Sequence, residues 1–262
     1  MPKTDILKDI IAKKKERLLA LKQALPEEEL KARIEGLPLT RPFIKAIDKP
    51  RQISLIAEIK KASVSRGIIR EQFNVREIAA IYEELDVQAI SVLTEEDYFL
   101  GNISYIKEVK DMVSCPILRK DFIIEPYQVY ESRFFGADAI LLIADILTRD
   151  QILEFMEIAS SLGMECLVEV HTEKELKKIL NLKVGLIGIN NRDLRTLEVD
   201  FKATEKLYPL IPKDKIVVVE SGIKSYQDVL FCRILGVNAL LIGEAFMQAE
   251  DIAKTVRQIM GW

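Results

Sequence analysis

The sequence has few of the residues that build metal centres and disulfide frameworks. Its 262 residues include one histidine, His171, and three widely spaced cysteines, Cys115, Cys166 and Cys232. An odd number of scattered cysteines favours reduced thiols in a cytosolic protein, and a single histidine excludes a paired-histidine zinc motif. We therefore predict no bound metal, interpret the cysteines as small core residues, and expect a structural hydrogen bond from His171.

An excess of one charge and long apolar runs are also missing. The 38 basic and 41 acidic residues are spread along the chain and give a net charge of -3, which leaves no basic field for a nucleic-acid backbone. No stretch approaches the ~20 apolar residues of a membrane span, and no targeting segment is recognisable. A glycine-rich dinucleotide fingerprint and a P-loop are absent as well. The sequence thus predicts a soluble, cytoplasmic protein with no cofactor and with neither a nucleic-acid nor a membrane partner.

The first part of the sequence has the apolar spacing of helices, and the rest alternates between strand-like and helix-like segments. Residues 5–25 have apolar positions at helical spacing up to Pro26, and residues 27–35 form a second short helical stretch. After Pro50, short apolar runs rich in β-branched residues alternate with amphipathic segments of helical period. There are eight such runs, at residues 53–59, 89–93, 116–118, 139–143, 166–170, 185–189, 216–219 and 239–242.

This alternation predicts an α/β fold. Strands that alternate with helices pair in parallel, and nearly continuous apolar strands are buried on both faces. Eight repeats in a chain of this length favour a closed (β/α)8 TIM barrel over an open doubly wound sheet. We predict one barrel domain over residues 1–262, in which residues 1–50 form an N-terminal helical extension that packs over a barrel end.

Polar residues recur where the predicted strands end. They are Glu58 and Lys60, Lys120, Glu169, Asn190, and Glu220 with Ser221. The carboxyl ends of the strands carry the chemistry of barrel enzymes, and side chains two apart in a strand share one face, so Glu58 and Lys60 point together. Any one of these residues also fits a structural ion pair at the barrel rim. Their recurrence at successive strand ends favours a site whose chemistry rests on lysine and carboxylate.

Two glycine-containing turns follow the seventh and eighth predicted strands, at residues 220–223 and 242–245. Glycine lets backbone N–H groups approach an anion closely, and many barrels bind a substrate phosphate at these two turns. An ordinary strand-to-helix turn also favours glycine. Because both turns follow the last two strands, we predict a phosphate site.

Several segments together resemble the indole-3-glycerol-phosphate synthase family over nearly the whole chain. They are residues 56–63 (IAEIKKAS), 93–96 (LTEE), 98–101 (YFLG), 118–122 (LRKDF), 167–171 (LVEVH), 188–194 (GINNRDL) and 219–223 (VESGI). The resemblance implies a carboxy-lyase of tryptophan biosynthesis. It would close the indole ring of 1-(2-carboxyphenylamino)-1-deoxyribulose 5-phosphate, with loss of carbon dioxide and water.

The resemblance also implies roles for individual residues. Lys120 would be the general acid that protonates the ribulose carbonyl, and Glu169 the group that serves the later loss of water. Lys60 would contact the anionic end of the substrate and share acid duty, while Glu58 balances the lysine charge. The implied catalytic set is Glu58, Lys60, Lys120, Glu169, Asn190 and Ser221, and the implied substrate-binding set is Ser63, Arg192, Leu194, Gly222, Gly243 and Glu244.

Two departures from the family pattern concern loops. Val64 stands where proline usually follows the motif serine, so the first loop should be less rigid, and Ala245 stands where serine is common, which removes one hydroxyl donor to phosphate. Two other functions remain open: a phosphoribosyl-type aminoaldose isomerase barrel, and a catalytically silent barrel that binds a phosphorylated ligand. We expect a phosphorylated small-molecule partner and a monomer or weak homo-oligomer.

Overall fold

The computed structural model describes residues 6–262, and its centre is a closed barrel of eight parallel strands. The strands are β1 Ser54–Ile59, β2 Ala89–Leu93, β3 Ile117–Lys120, β4 Ala139–Ile143, β5 Glu165–Val170, β6 Leu186–Asn190, β7 Ile216–Glu220 and β8 Ala239–Ile242. Each strand pairs with its neighbours in the chain, and β8 closes the barrel on β1 with Ser54 opposite Ala239. The predicted TIM barrel is confirmed.

Three helices precede β1, and a helix follows each strand of the barrel. They are α1 Ile6–Ala24, α2 Glu27–Ile34, α3 Phe43–Ile47, α4 Val75–Glu84, α5 Ser104–Lys110, α6 Pro126–Phe134, α7 Arg149–Ser161, α8 Glu173–Leu180, α9 Lys202–Leu207, α10 Tyr226–Leu235, α11 Glu244–Met247 and α12 Ile252–Met260. A 3-10 turn, Tyr208–Leu210, follows α9, and a small antiparallel hairpin pairs Ala62–Ser63 with Gly67–Ile68. Within residues 6–262, no helix combines the length and apolar character needed to cross a membrane.

Side chains that alternate along each strand divide the core into two layers. In β1, Leu55, Ala57 and Ile59 pack outward with the helices, whereas Ile56 belongs to the cluster inside the barrel. This follows from the two-residue period of a strand, which sends successive side chains to opposite faces. Glu58 therefore lies on the inward face with Ile56, as the alternation predicts.

The helices before β1 reach both ends of the barrel. Leu7 and Ile10 of α1 pack on the inner cluster at the end where the strands terminate, and Lys14 forms ion pairs there with Glu96 and Asp121. At the opposite end, Phe43 and Ile47 of α3 are fully buried against the same inner cluster.

Hydrogen bonds fix α3 at that second position. The backbone N–H of Ile44 donates to Glu165 at the start of β5, over 2.6 Å, and the Ser54 hydroxyl donates to the Ile47 carbonyl over 2.7 Å. The N-terminal helices thus form one wall of the cavity at the strand ends and close the other end of the barrel.

Candidate active site

A cavity of about 590 Å³ opens at the carboxyl ends of the strands. All twelve residues proposed from the sequence line it: Glu58, Lys60, Ser63, Lys120, Glu169, Asn190, Arg192, Leu194, Ser221, Gly222, Gly243 and Glu244. Apolar side chains of α1, namely Ile6, Leu7 and Ile10, supply part of the wall. The structure therefore brings the whole predicted set together at one mouth of the barrel, the end where barrel enzymes place their chemistry.

Lys120, the last residue of β3, lies between two buried carboxylates. Its Nζ is 2.9 Å from Oε2 of Glu169 on β5 and 3.1 Å from Oε2 of Glu220 on β7. Burial disfavours the charged amine, but the two carboxylates outweigh burial and raise the pKa of Lys120 well above its usual range. Burial opposes ionisation of Glu169, but Lys120 and the neighbouring His171 outweigh it and hold the pKa of the carboxyl low. At neutral pH an ammonium group thus faces an ionised Glu169.

Glu220 is a buried carboxylate to which the sequence interpretation gave no role, although it noted the residue at the end of its strand. Burial and the neighbouring Glu169 raise the pKa of Glu220 to about 8, although Lys120 acts in the opposite direction. Its carboxylate packs against Gly188 of β6, where an added Cβ would lie 2.5 Å from Oε1 of Glu220. The signal for this residue was its inward position at the end of β7, next to Ser221.

Glu58 and Lys60 meet at the end of β1. The Lys60 ammonium donates a hydrogen bond to Oε1 of Glu58, and both side chains are largely buried. Gly243, after β8, packs directly on Glu58, because a Cβ at position 243 would lie 2.7 Å from the Cβ of Glu58. The ion pair is thus held beside the turn that follows the last strand.

The two glycine turns form a cradle of backbone N–H groups. Ser221 and Gly222 both have positive φ, at 65° and 88°. Successive N–H groups in such a turn form a concave anion site. The amides of Gly222 and Gly243 donate none of the loop and turn hydrogen bonds found within residues 6–262. At position 222 a Cβ would lie 2.8 Å from Val199 Cγ1, so only glycine fits there. The cradle is suited to an anionic ligand such as a phosphate.

Charged side chains join three loops at the cavity mouth. Glu244 accepts hydrogen bonds from Arg192, over 3.0 Å, and from Arg66, over 2.7 Å. Arg192 also donates to the Ser65 hydroxyl over 3.2 Å, and its backbone N–H donates to Oδ1 of Asn190 over 3.0 Å. Burial opposes ionisation of Glu244, but Arg66 and Arg192 outweigh it and lower the pKa of the carboxyl. The Glu244 side chain therefore holds two arginines, a contact that sequence reasoning did not foresee.

Two predicted substrate contacts lie beside these loops. The buried Ser63 hydroxyl is 3.4 Å from the Ser65 hydroxyl, on the hairpin that follows β1. Leu194 is partly buried and packs against the apolar cluster inside the barrel. Both side chains therefore reach the cavity from segments that lie outside the eight strands of the barrel.

One acidic cluster in residues 6–262 has metal-like spacing, at Glu95, Glu96 and Asp97. Glu95 accepts hydrogen bonds from backbone N–H groups of residues 97–99. Glu96 pairs with Lys14, and Asp97 pairs with Arg17. Each carboxylate thus already has a cation or N–H partner, so the cluster gives no argument for a metal ion.

Comparisons with known proteins agree with this geometry. The family model described as indole-3-glycerol phosphate synthase matches residues 7–259. A curated relative of that name from Acetivibrio thermocellus is 49% identical over 255 residues, covering 97% of this chain and 98% of the relative. Another from Alkaliphilus metalliredigens is 47% identical, covering 97% of each chain.

Solved structures at lower identity show the fold. The 3-hexulose-6-phosphate synthase of Salmonella typhimurium superposes with a TM-score of 0.65 at 16% identity, over 80% of this chain and 97% of that one. A mutant tryptophan synthase alpha-subunit of Pyrococcus furiosus gives a TM-score of 0.62 at 19% identity, over 80% of this chain and 98% of that one. Because the family model spans the barrel and its cavity, and curated relatives match nearly half of all positions, the chain belongs to the indole-3-glycerol phosphate synthase family, the decarboxylating, ring-closing lyases of tryptophan biosynthesis.

Proposed function

We propose that the cavity closes the indole ring of 1-(2-carboxyphenylamino)-1-deoxyribulose 5-phosphate with Lys120 as the general acid. The observation that carries this assignment is the position of Lys120, whose buried ammonium lies between Glu169 and Glu220 in the cavity wall. We propose further that residues 1–262 act as one barrel domain, with residues 1–50 as its helical extension.

In the first step, a carbon of the aromatic ring attacks the ribulose carbonyl. Negative charge develops on the carbonyl oxygen, and the Lys120 ammonium donates a proton to it. Because burial and Glu169 raise the pKa of Glu220 to about 8, we expect Lys120 to face one ionised carboxylate rather than two at neutral pH. A second ionised carboxylate would raise the pKa of Lys120 further, so a neutral Glu220 makes Lys120 the stronger acid.

Loss of carbon dioxide then restores the aromatic ring. The carboxylate gives up its charge in this step, and apolar surroundings favour a reaction that disperses charge. Ile6, Leu7 and Ile10 of α1 supply such surroundings on one side of the cavity. Arg192 and Asn190, near the mouth, orient the ring and its carboxylate, and Ser63 and Leu194 help to hold the substrate.

Loss of water completes the indole. The contact of Glu169 with Lys120 holds the carboxylate in its ionised form, which suits it to act as the base that takes up a proton. The Lys60 ammonium delivers a proton to the leaving hydroxyl, and Glu58 balances its charge through their ion pair. The phosphate binds to backbone N–H groups of Ser221, Gly222, Gly243 and Glu244.

The composition of the chain also bears on its location and partners. We propose a cytoplasmic enzyme that acts on a phosphorylated small molecule as a monomer or weak homo-oligomer. The near balance of 38 basic and 41 acidic residues supports the absence of a nucleic-acid partner.

Indole fluorescence and carbon dioxide release test the proposal, with the wild type and two lysine variants. Lys120→Met should lower kcat by about 100-fold or more, the usual contribution of a positioned acid. Lys61→Met is the matched control, because Lys61 lies one residue beyond Lys60 and outside the cavity lining, and its kcat should stay within about twofold of the wild type.

Circular dichroism checks that the three proteins fold alike. A folded Lys120→Met with turnover near that of the wild type would refute the general-acid assignment. A wild type that binds the substrate without releasing carbon dioxide would refute ring closure and favour an isomerase or a silent barrel.

A further inference from the structure

The single histidine of the chain lies directly behind the proposed base. His171 follows β5 and precedes α8, and its Nε2 is 3.3 Å from Oε1 of Glu169. On its other side, Nδ1 is 3.3 Å from Oε2 of Glu175, and the His171 backbone N–H donates to that same oxygen over 2.8 Å. The imidazole ring therefore lies between two carboxylates, outside the cavity lining but in contact with a residue that lines it.

The two oxygens of Glu169 have different partners. Oε2 accepts a hydrogen bond from Lys120 over 2.9 Å, whereas Oε1 has no hydrogen-bond partner within residues 6–262. Nε2 of His171 also has none, and these two buried atoms lie 3.3 Å apart, in ionic contact but without the geometry of a hydrogen bond. A buried carboxylate oxygen without a partner is costly, so the imidazole is the group available to compensate it.

The charges around the ring favour the doubly protonated form. Burial alone would lower the pKa of His171, but Glu169 and Glu175 outweigh it and raise the pKa to about 10. Asp193, on the loop after β6, adds a further negative charge near the ring. Around Glu169 the charged neighbours are His171, Lys120 on β3 and Glu220 on β7. His171 is therefore a second cation beside Glu169.

We propose that His171 is a positioning residue for the ring-closing reaction, one that holds Oε1 of Glu169 as an imidazolium and so keeps Oε2 directed at Lys120. This inference rests on the function proposed above, in which Lys120 is the acid and Glu169 the later base. When Lys120 gives its proton to the substrate, Glu169 loses one of its two cations. The imidazolium then remains as the counter-charge that keeps Glu169 ionised until its turn as base.

Two variants separate the two faces of the ring. Gln at position 171 retains an N–H near the position of Nε2, which faces Glu169, whereas Asn retains one near Nδ1, which faces Glu175. His171→Asn should lower kcat by about tenfold, because Glu169 loses one of its two neighbouring cations, with KM nearly unchanged. His171→Gln should recover most of that loss. In both variants the acidic limb of the kcat profile should move to higher pH, because one of the two cations that keep Glu169 ionised is gone.

Thr172→Ala is the structural control for the same turn. The Thr172 hydroxyl caps α8 by accepting from the backbone N–H of Glu175 and donates to Oε1 of the Glu175 side chain over 2.8 Å, so its removal disturbs the turn and leaves the Glu169 side of the imidazole in place. This variant should lower the melting temperature without moving the acidic limb. If His171→Asn changed kcat and the pH profile no more than Thr172→Ala does, His171 would have only a structural role.

Nuclear magnetic resonance of the ring nitrogens gives a readout that needs no turnover. Because the chain has one histidine, an untagged, ¹⁵N-labelled protein shows one pair of imidazole signals. At pH 7.5 both nitrogens should be protonated, and Glu169→Gln should shift the Nε2 signal more than Nδ1. A neutral ring at that pH would overturn the proposal even if the variants failed to fold. If the wild type produced no indole but its imidazole was doubly protonated, the proposed ring-closing function would be refuted and the contact between the imidazolium and Glu169 would be retained.

Discussion

Lys14 joins α1 to the barrel through two ion pairs, so its removal tests how the helix is held. Its side chain is 4% exposed, and its Nζ lies 2.9 Å from Oδ1 of Asp121 and 2.9 Å from Oε2 of Glu96. Burial opposes the charge on Lys14, but these two carboxylates outweigh it and raise the pKa of the amine. Lys14→Met would leave Asp121 buried with one cation fewer.

The magnitude follows from the surroundings of Asp121. Breaking a buried ion pair by removing one partner costs about 3–5 kcal/mol. Arg119 still contacts Asp121 at 3.1 Å, and Thr94 donates to it over 2.6 Å, so the lower end of that range applies. A loss of about 3 kcal/mol corresponds to a decrease of roughly 6–12 °C in the melting temperature of a chain of this size.

Thermal unfolding by circular dichroism at pH 7 measures this decrease. Lys15→Met is the matched control, because Lys15 is exposed on the same helix, and its free energy of unfolding should change by less than about 0.5 kcal/mol. Since α1 also carries Ile6, Leu7 and Ile10 of the cavity wall, KM should rise in Lys14→Met alone. Equal melting temperatures and equal KM values for the two variants would refute the anchoring role.

Three further predictions concern the site. Gly243→Ala should abolish most activity in the indole-fluorescence assay, because the new Cβ would lie 2.7 Å from the Cβ of Glu58. Gly185→Ala is the control, because its new Cβ meets no atom within 4 Å, and its kcat and KM should be unchanged. The kcat of the wild type should fall as pH rises through about 8, where ionised Glu220 makes the neighbouring lysine a poorer acid, and this basic limb should be absent from the pH profile of Glu220→Gln. The free energy of unfolding from urea titrations should decrease as pH rises from 6.5 to about 10, since folded His171 keeps its proton over that range and the unfolded residue does not. Buried Glu220 contributes to the same decrease up to about pH 8, so the decrease should be smaller in His171→Asn and should differ most from the wild type above pH 8.

Much of the barrel and its cavity was predictable because both depend on local patterns. Eight apolar runs define eight strands, and parallel strands deliver their carboxyl ends to one face, so Glu58, Lys120 and Glu169 had to lie near each other. Contacts that depend on loop conformation were not predictable. Glu244 meets Arg66, 178 residues earlier, only because two loops fold over the same mouth.

The predicted element boundaries were wrong in a few places, each with a physical reason. The third strand was expected to end at residue 118 but continues to Lys120. Arg119 within it looks like a loop residue, yet its guanidinium is buried against Asp121 and Glu131. The five-residue α3 and four-residue α11 are too short to show a helical period, so no pattern indicated them.

The position of α3 constrains how the chain is made. Phe43 and Ile47 leave the ribosome before any strand, yet the inner cluster that buries them includes Leu186, Val218 and Ala239 from the last three strands. During synthesis these two side chains lack their final partners until most of the chain has emerged, and β1 lacks one neighbour until β8 arrives. The nascent polypeptide must therefore carry exposed apolar side chains and an unpaired strand edge until the C-terminal strands are complete, the condition under which partly made barrels are prone to aggregate.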